Sequence, residues 1–360
     1  MRIVILQDRL RLGGTEVQAL SLGLAWRQAG HAVHLVVFRP GGALADSPAA
    51  RTLAPTVLQK RDWLLDGFAP GLNKTVAALK PDVVVAFGRE ANVKLAKLRE
   101  LAPRPRLVGT LRSGRGQPAR YWRALQAVDA VVANAHWAGS EAATQGIEPT
   151  RTAVIYNGLA RSPIVTDATA ERTNWRQRAG TPAEAVVFLC VAGFRLGKGQ
   201  GLLLRAAAQL PRTSSWQLWF AGEGPCLSTC KSLVKELKLQ EHVRFAGRVD
   251  NPAGLYAAAD VAVLASDAEA LPNFLIEAQA AGLPVVSTAV GGATECFAEG
   301  VTGWAVPAGD PAALAAALLR ALQDPSWRAA ARAPAMARVQ ELFDAGRNAA
   351  KWIDVLAGPQ

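Results

Sequence analysis

Short β-branched runs, each followed by a helix-length amphipathic segment, recur along the whole chain, and few folds accommodate that rhythm. In the first half the runs are Ile3 to Leu6, Val33 to Phe38, Thr56 to Gln59, Val83 to Phe87, Leu107 to Leu111, Ala130 to Ala133 and Ala153 to Tyr156. Residues 159–184, with Pro163, Gly180, Pro182 and a polar run, interrupt the pattern. It resumes with Val186 to Val191, Trp216 to Ala221, Val243 to Phe245, Val261 to Ala265, Val285 to Ser287 and Trp304 to Val306. Strands that are apolar on both faces and alternate with helices belong to parallel sheets. The chain therefore predicts an α/β protein with two Rossmann-like domains. The expected division is a first domain over 1–160, a connection with a short helix over 161–184, a second domain over 185–335, and a terminal helical segment, 336–360, that returns to the first domain.

Composition supports two sizeable cores: the chain has 360 residues, half of them apolar and only 19% charged. That balance excludes a disordered or fibrous chain. The apolar run at the start, Ile3 to Leu6, is far below a signal-peptide core or a membrane span of ~20 residues. A cytoplasmic protein, soluble or peripheral to the inner face of the plasma membrane, is the expectation. Cys190, Cys226, Cys230 and Cys296 lack a metal-ligand spacing and read as reduced thiols. Charge is unevenly spread. Residues 1–160 carry 21 basic and 11 acidic side chains, the remainder 19 and 18. A basic run through Arg89, Lys94, Lys97, Arg99, Arg104, Arg106, Arg112, Arg115, Arg120 and Arg123, with Tyr121 and Trp122 among it, suggests an anionic membrane surface as a partner; solvated helix faces or a soluble acidic glycan would account for the same charges. No nucleic-acid partner is expected.

Ligands of open α/β sheets sit at the carboxyl ends of strands, where glycines admit phosphates and helix N-termini offer N–H donors. Three junctions have this character: Gly13-Gly14 after the first run, Gly193 to Gly199 after Val191, and Gly222-Glu-Gly224 after Ala221. Each glycine cluster alone fits an ordinary tight turn equally well. The second also carries Arg195 and Lys198, cations suited to a diphosphate. Neither a Walker loop nor a G-x-G-x-x-G dinucleotide motif occurs at these junctions, which argues against nucleotide hydrolysis and nicotinamide chemistry. The most informative stretch runs from Ser266 to Val286. A loop there carries Glu269, Pro272-Asn273 fits a helix start, and Glu277 lies one turn inside. Such a helix could hold a diphosphate while Glu277 accepts from ribose hydroxyls. The residues alone equally allow Glu277 to complement the helix dipole and Glu269 to be merely solvated.

With seven residues between its glutamates, Glu269-Ala-Leu271-Pro272-Asn273-Phe274-Leu-Ile-Glu277 resembles the E-x7-E segment of family-4 retaining glycosyltransferases of the GT-B fold. Gly291-Gly292, Glu295, Gly300-Val-Thr-Gly303, Gly199, Gly222-Glu-Gly224-Pro225, Phe245-Ala-Gly247 and Tyr256-Ala-Ala-Ala-Asp260 follow in that family's order, and Gly13-Gly14 and Asn157-Gly158 match its first half. The resemblance implies two facing Rossmann-like domains with parallel sheets and a C-terminal helix crossing back. It implies a retaining transferase moving a hexose-type sugar from a UDP- or GDP-sugar to a glycan or lipid-linked acceptor of the cell envelope, with neither cofactor nor metal. Lys198 and Arg195 would neutralise the diphosphate, and Glu277 would bind ribose. The loop after Gly247, including Val249, would lie near the base. Glu269, with the backbone N–H groups of Asn273 and Phe274 beside Leu271 and Pro272, would hold sugar and phosphate. Gly13, Gly14, Gly222 and Gly224 would admit the donor. Two positions depart from the family. Gly193 stands where an arginine is usual, and Arg112 stands where a histidine near the acceptor is usual; Arg112 is therefore expected to face the substrates. Two other readings share these residues: a UDP-sugar 2-epimerase on the same fold, and a non-catalytic sugar-nucleotide-binding partner subunit.

Overall fold

The computed structural model describes residues 1–114, 116–159 and 163–358. Among them, thirteen strands form two all-parallel sheets. The first comprises β1 (Arg2–Gln7), β2 (Ala32–Val37), β3 (Thr56–Val57), β4 (Val83–Ala86), β5 (Arg106–Leu111), β6 (Ala130–Ala133) and β7 (Thr152–Val154), in the order β3-β2-β1-β4-β5-β6-β7. The second comprises β8 (Val186–Val191), β9 (Trp216–Ala221), β10 (Val243–Gly247), β11 (Val261–Leu264), β12 (Val285–Thr288) and β13 (Gly303–Val306), ordered β10-β9-β8-β11-β12-β13. Every predicted strand is present. The central strands are buried on both faces, from Ile3 to Leu6 and from Val187 to Cys190, which is why they read as unbroken apolar runs. Each such side chain contributes about 1.5–3 kcal/mol on burial.

The chain divides into two compact units: Met1–Ala160 with Asp344–Gln360, and Arg161–Phe343. In the first, the terminal helix Ala345–Ala357 completes the core. Trp352 on this helix meets Trp26 edge-on with centroids 5.8 Å apart and stacks on Phe87 at 5.5 Å. Asp344 opens the helix, its carboxylate accepting Arg347 N–H at 2.6 Å. The return thus begins at Asp344, later than the 336 read from the sequence. Residues Arg332–Leu342 form a helix against the helix Asn273–Ala280, and Arg338 bonds to the Glu295 carbonyl at 2.9 Å, so this stretch belongs to the second unit.

Residues read as the connection likewise belong to the second unit. The helix Ala168–Arg178 starts on Asp167, which accepts Ala170 N–H. Its Arg172 and Arg176 pair with Asp260 at 2.7 and 2.6 Å and cover the carbonyls at the end of the helix Ala253–Ala258. Asp260 also accepts Val187 N–H at 2.8 Å, so one carboxylate ties the segment to β8. No helix among the described residues is long and apolar enough to cross a membrane.

In both sheets the strand order reverses once, at β1/β4 and at β8/β11. Such a reversal opens a crevice at the carboxyl ends of the two strands. Polar side chains gather at both.

Candidate active site

At the β8/β11 reversal, Lys198 Nζ lies 2.5 Å from Glu269 Oε1, and Ser266 Oγ donates to the same oxygen at 2.7 Å. Both members of the ion pair are largely buried, their side chains 17% and 13% exposed. The backbone makes this meeting possible. Gly199, with φ of +69°, opens the helix Gln200–Ala207, and a Cβ there would stand 1.7 Å from the Ala265 carbonyl. Only a glycine lets the loop after β8 lie directly on the end of β11, bringing Lys198 to Glu269. Asp267 N–H closes the junction on Gly197 O at 3.0 Å. Thr288 on β12 braces the loop from below, donating to Ser266 O at 2.7 Å.

The second glutamate is held just as specifically. Pro272 precedes the helix Asn273–Ala280, and Glu277 on it accepts the Tyr256 hydroxyl at 2.7 Å. Tyr256 is fully buried, and burial together with the neighbouring carboxylate pushes its phenol well above the ordinary range, so it remains a donor. Leu271 and Phe274 are buried in the core, leaving their backbone as the part that can meet a ligand. Gly222 and Gly224, both with positive φ, lie on the carbonyls of Ala192 and Phe194 in the β8 loop. Gly247 and Val249 lie at the end of β10, and a Cβ at Gly247 would meet nothing within 4 Å. Arg195 is exposed on the same loop as Lys198. At Gly193 an added Cβ would touch only Glu223 O, at 3.6 Å, so the missing arginine leaves open space.

Gly13, Gly14 and Arg112 lie in the first unit. A cavity of about 230 Å³ at the β1/β4 reversal is lined by Gln7, Asp8, Glu16, Arg89, Arg112 and Tyr121, among others. Asp8 follows β1 and accepts the N–H groups of Glu90 (3.1 Å) and Ala91 (2.6 Å) at the start of the helix Arg89–Leu95. Burial raises its carboxyl to about 7 despite those donors. Arg112 donates to Asn157 Oδ1 and lies over the Phe87 ring, 5.4 Å from its centroid. Burial lowers its guanidinium to about 10, and its Nε has no hydrogen-bond partner among the described residues. Gly13 opens the helix Gly14–Gln28 close to Glu16, on the same rim.

Asp8, Ser266 and the Tyr256–Glu277 bond do not stand out in the sequence. Asp8 had one readable signal, a carboxylate directly after a buried strand; the partners of the others lie too far along the chain to be read.

Two Rossmann-like units, each with polar side chains at the reversal of a parallel sheet, define the GT-B class. The chain belongs to the family-4 glycosyltransferases: the model for glycosyl transferases group 1 matches residues 171–338, and that for glycosyltransferase family 4 matches 12–161. Among curated relatives, the lipopolysaccharide core biosynthesis glycosyltransferase LpsE of Rhizobium meliloti is 35% identical over 153 residues, 42% of this chain and 44% of its own. A D-inositol 3-phosphate glycosyltransferase of Kineococcus radiotolerans is 34% identical over 254 residues, 64% of this chain and 57% of its own. The chain thus spans about half the length of the curated relatives it matches. The crystal structure of Anabaena Alr3699/HepE in complex with UDP-glucose shares the fold with a TM-score of 0.86, at 22% identity and full coverage of both chains.

Proposed function

We propose that the protein is a retaining, metal-independent glycosyltransferase that moves a hexose-type sugar from a UDP- or GDP-sugar to a glycan or lipid-linked acceptor in cell-envelope polysaccharide or glycolipid synthesis. The observation that carries this reading is the Lys198–Glu269 pair at the β8/β11 reversal, beside a helix that begins at Asn273 and carries the Tyr256-oriented Glu277. A nucleoside diphosphate entering this crevice finds Lys198, with exposed Arg195 on the same loop, and the donors of a helix N-terminus. Glu277, fixed by Tyr256, accepts from ribose hydroxyls, and the loop at Gly247 and Val249 faces the base. Glu269 exchanges its bond to Lys198 for the transferred sugar, leaving the ammonium to the phosphate. Catalysis is then electrostatic: as the glycosidic bond breaks, charge grows on the diphosphate where the cation already stands. No cofactor takes part, and Lys198 and Arg195 supply the positive charge that a divalent ion would otherwise bring.

The first unit holds the acceptor. Its cavity combines a carboxylate that exchanges a proton near neutral pH with a partly buried arginine, a pairing suited to a hydroxylated acceptor that also carries negative charge. That HepE crystallised with UDP-glucose and that LpsE is named for lipopolysaccharide core synthesis support a nucleotide-sugar donor and an envelope acceptor.

The same unit rests on the anionic inner face of the plasma membrane, with part of its basic run as contacts. Arg104 pairs with Asp129, Arg106 bonds to Val355 O, Arg112 lines the cavity, and Tyr121 and Trp122 are buried. Arg115 lies outside the described residues. Lys97, Arg99 and Arg123 stay exposed.

Thermal shifts with UDP-glucose, UDP-N-acetylglucosamine, UDP-galactose and GDP-mannose in the presence of a chelator test the donor reading, because a ligand that binds only the folded state raises its melting temperature. At least one should raise it, and Glu277→Ala should make the rise smaller at the same ligand concentration. No shift with any of them would sink the proposal.

A further inference from the structure

With Tyr121 and Trp122 buried, the basic run loses the two aromatic neighbours expected to accompany it at a membrane. Another element of the first unit supplies exposed apolar side chains. Between Gln59 and Phe68 the chain turns its polar groups inward. Gln59, 1% exposed, donates through Nε2 to the carbonyls of Leu65 (2.8 Å) and Phe68 (2.7 Å), and its Oε1 accepts Trp63 N–H at 3.4 Å. Asp62 accepts Leu64 N–H at 3.0 Å. Arg39, which follows β2 and is itself buried, grips Asp62 at 2.5 and 3.1 Å and Asp66 at 2.9 Å. Arg11 adds a bond to Asp66 at 2.6 Å, and Arg9 lies 3.6 Å from Asp62. Burial pushes Asp66 upward, but Arg39 and Arg11 together hold it below the usual carboxylate range.

This inward bonding leaves the large apolar side chains outside. Trp63 is 58% exposed, Leu64 74%, Leu65 59% and Phe68 44%. Leu64 even takes φ of +60°, a left-handed conformation that costs a non-glycine residue about 1 kcal/mol or more. Leu12, beside Arg11, adds another exposed leucine. A folded chain gains nothing by fixing such residues in water, so the display points to a ligand or partner surface. Taking ~200 Å² for a large side chain, the four residues expose on the order of 450 Å², short of the ~800 Å² per partner of a stable protein interface. A tryptophan beside leucines suits the boundary between headgroups and acyl chains. Lys60 and Arg61 precede it, both exposed, and with Arg9, Arg11 and Arg39 they set five basic side chains against Asp62 and Asp66. The loop also packs next to the segment that lines the cavity of the first unit. Gly67 lies against Glu90, where a Cβ would stand 2.8 Å from Oε2, and the adjoining N–H groups are those that hold Asp8.

We infer that the loop 59–68 is a wedge that inserts Trp63, Leu64 and Leu65 into the interfacial layer of an anionic bilayer, bringing the cavity of the first unit level with the headgroups of lipid-linked acceptors. The inference rests on the membrane reading given above, and it names an element that reading does not use.

Flotation of the full-length protein with phosphatidylcholine vesicles, alone or mixed with phosphatidylglycerol, tests it. The wild type should float with the mixed vesicles and keep part of its binding in high salt, since apolar insertion is not screened. The triple variant Trp63→Ser, Leu64→Ser, Leu65→Ser should lose on the order of ten-fold or more of that affinity. Its melting temperature should be unchanged, because these side chains stand more than half in solvent; were it to unfold, Leu64→Ser alone should still show a several-fold loss. Wild-type binding that the variants retain in full would overturn the wedge and leave the membrane reading standing. A wild type that binds no vesicle would overturn both. Should the wild type instead form a dimer that the triple variant breaks, a second copy covers the loop and the wedge is wrong.

Discussion

Removing Glu277 should damage the protein in two measurable ways, because its carboxylate, proposed to bind the donor ribose, also accepts the buried Tyr256 hydroxyl at 2.7 Å. For the ligand, Glu277→Ala removes a hydrogen bond to a charged group, worth about 1.5–3 kcal/mol, or roughly 10- to 150-fold in donor affinity. For the fold, it strands a phenol that is 1% exposed, and an unsatisfied buried donor costs about 1–3 kcal/mol. Tyr256→Phe removes that donor without creating an orphan. The half-buried carboxylate keeps access to water, so stability should fall by about 1 kcal/mol or less and donor affinity by only a few-fold. The double variant then carries no stranded hydroxyl, and its stability loss should be smaller than the sum of the single losses by about 1–2 kcal/mol. Urea unfolding of the four proteins, paired with calorimetric titration of UDP-glucose or whichever nucleotide sugar gives the largest thermal shift, measures both effects. Strict additivity of the stability losses would show that Tyr256 and Glu277 are not coupled, and donor affinity untouched in Glu277→Ala would show that Glu277 does not bind the donor.

Three further substitutions probe the rest of the site. Gly199→Ala places a methyl group 1.7 Å from the Ala265 carbonyl at a positive φ, so it should cost roughly 2–4 kcal/mol in urea unfolding and weaken donor binding as Lys198 leaves Glu269. Asp8 keeps its proton to about 7 in the folded chain against an ordinary 3.8, so its contribution is fully present below about 4 and declines as pH rises to about 7. The full shift corresponds to on the order of 4 kcal/mol, which partial solvent access reduces to ~2, and the stability of Asp8→Asn should lack this decline between pH 4 and 7. Arg112→Ala should lower turnover at least ten-fold while leaving affinity for the nucleotide sugar within about two-fold, as expected of a group on the acceptor side; equal turnover in steady-state assays would assign it a structural role.

What the sequence allowed to be read follows from where each partner lies. Strands such as Ile3 to Leu6 and Val187 to Cys190 are apolar because both faces are buried, and that cause acts residue by residue along the chain. The glutamates and Lys198 were legible as a pattern, but their geometry was not. Lys198 meets Glu269 across 71 positions, and Asp8 meets Glu90 and Ala91 across 82 and 83. The return to the first unit was hidden because helical periodicity runs on through both Arg332–Leu342 and Ala345–Ala357, and only packing shows that they serve different cores. Tyr121 and Trp122, read as surface neighbours of arginines, form the apolar face of the helix Ala119–Gln126. Trp63-Leu64-Leu65 gave the opposite difficulty: consecutive large apolar residues normally signal burial, and it takes the inward bonds of Gln59 and Arg39 to turn them out.

Delivery of a sugar from a nucleotide donor by the proposed crevice at Lys198, Glu269 and Glu277 is tested by release of nucleoside diphosphate together with the glycosylated product. The four nucleotide sugars above should be incubated with the protein, a chelator and a panel of sugar, sugar-phosphate and lipid-extract acceptors, and the anomeric proton of any product read by NMR. At least one pair should give nucleoside diphosphate and product in equal amounts, with the donor's anomeric configuration kept, and Lys198→Ala and Glu269→Ala should lose both. Product with inverted configuration, a strict need for added metal, or unchanged turnover in both variants would contradict the proposed function.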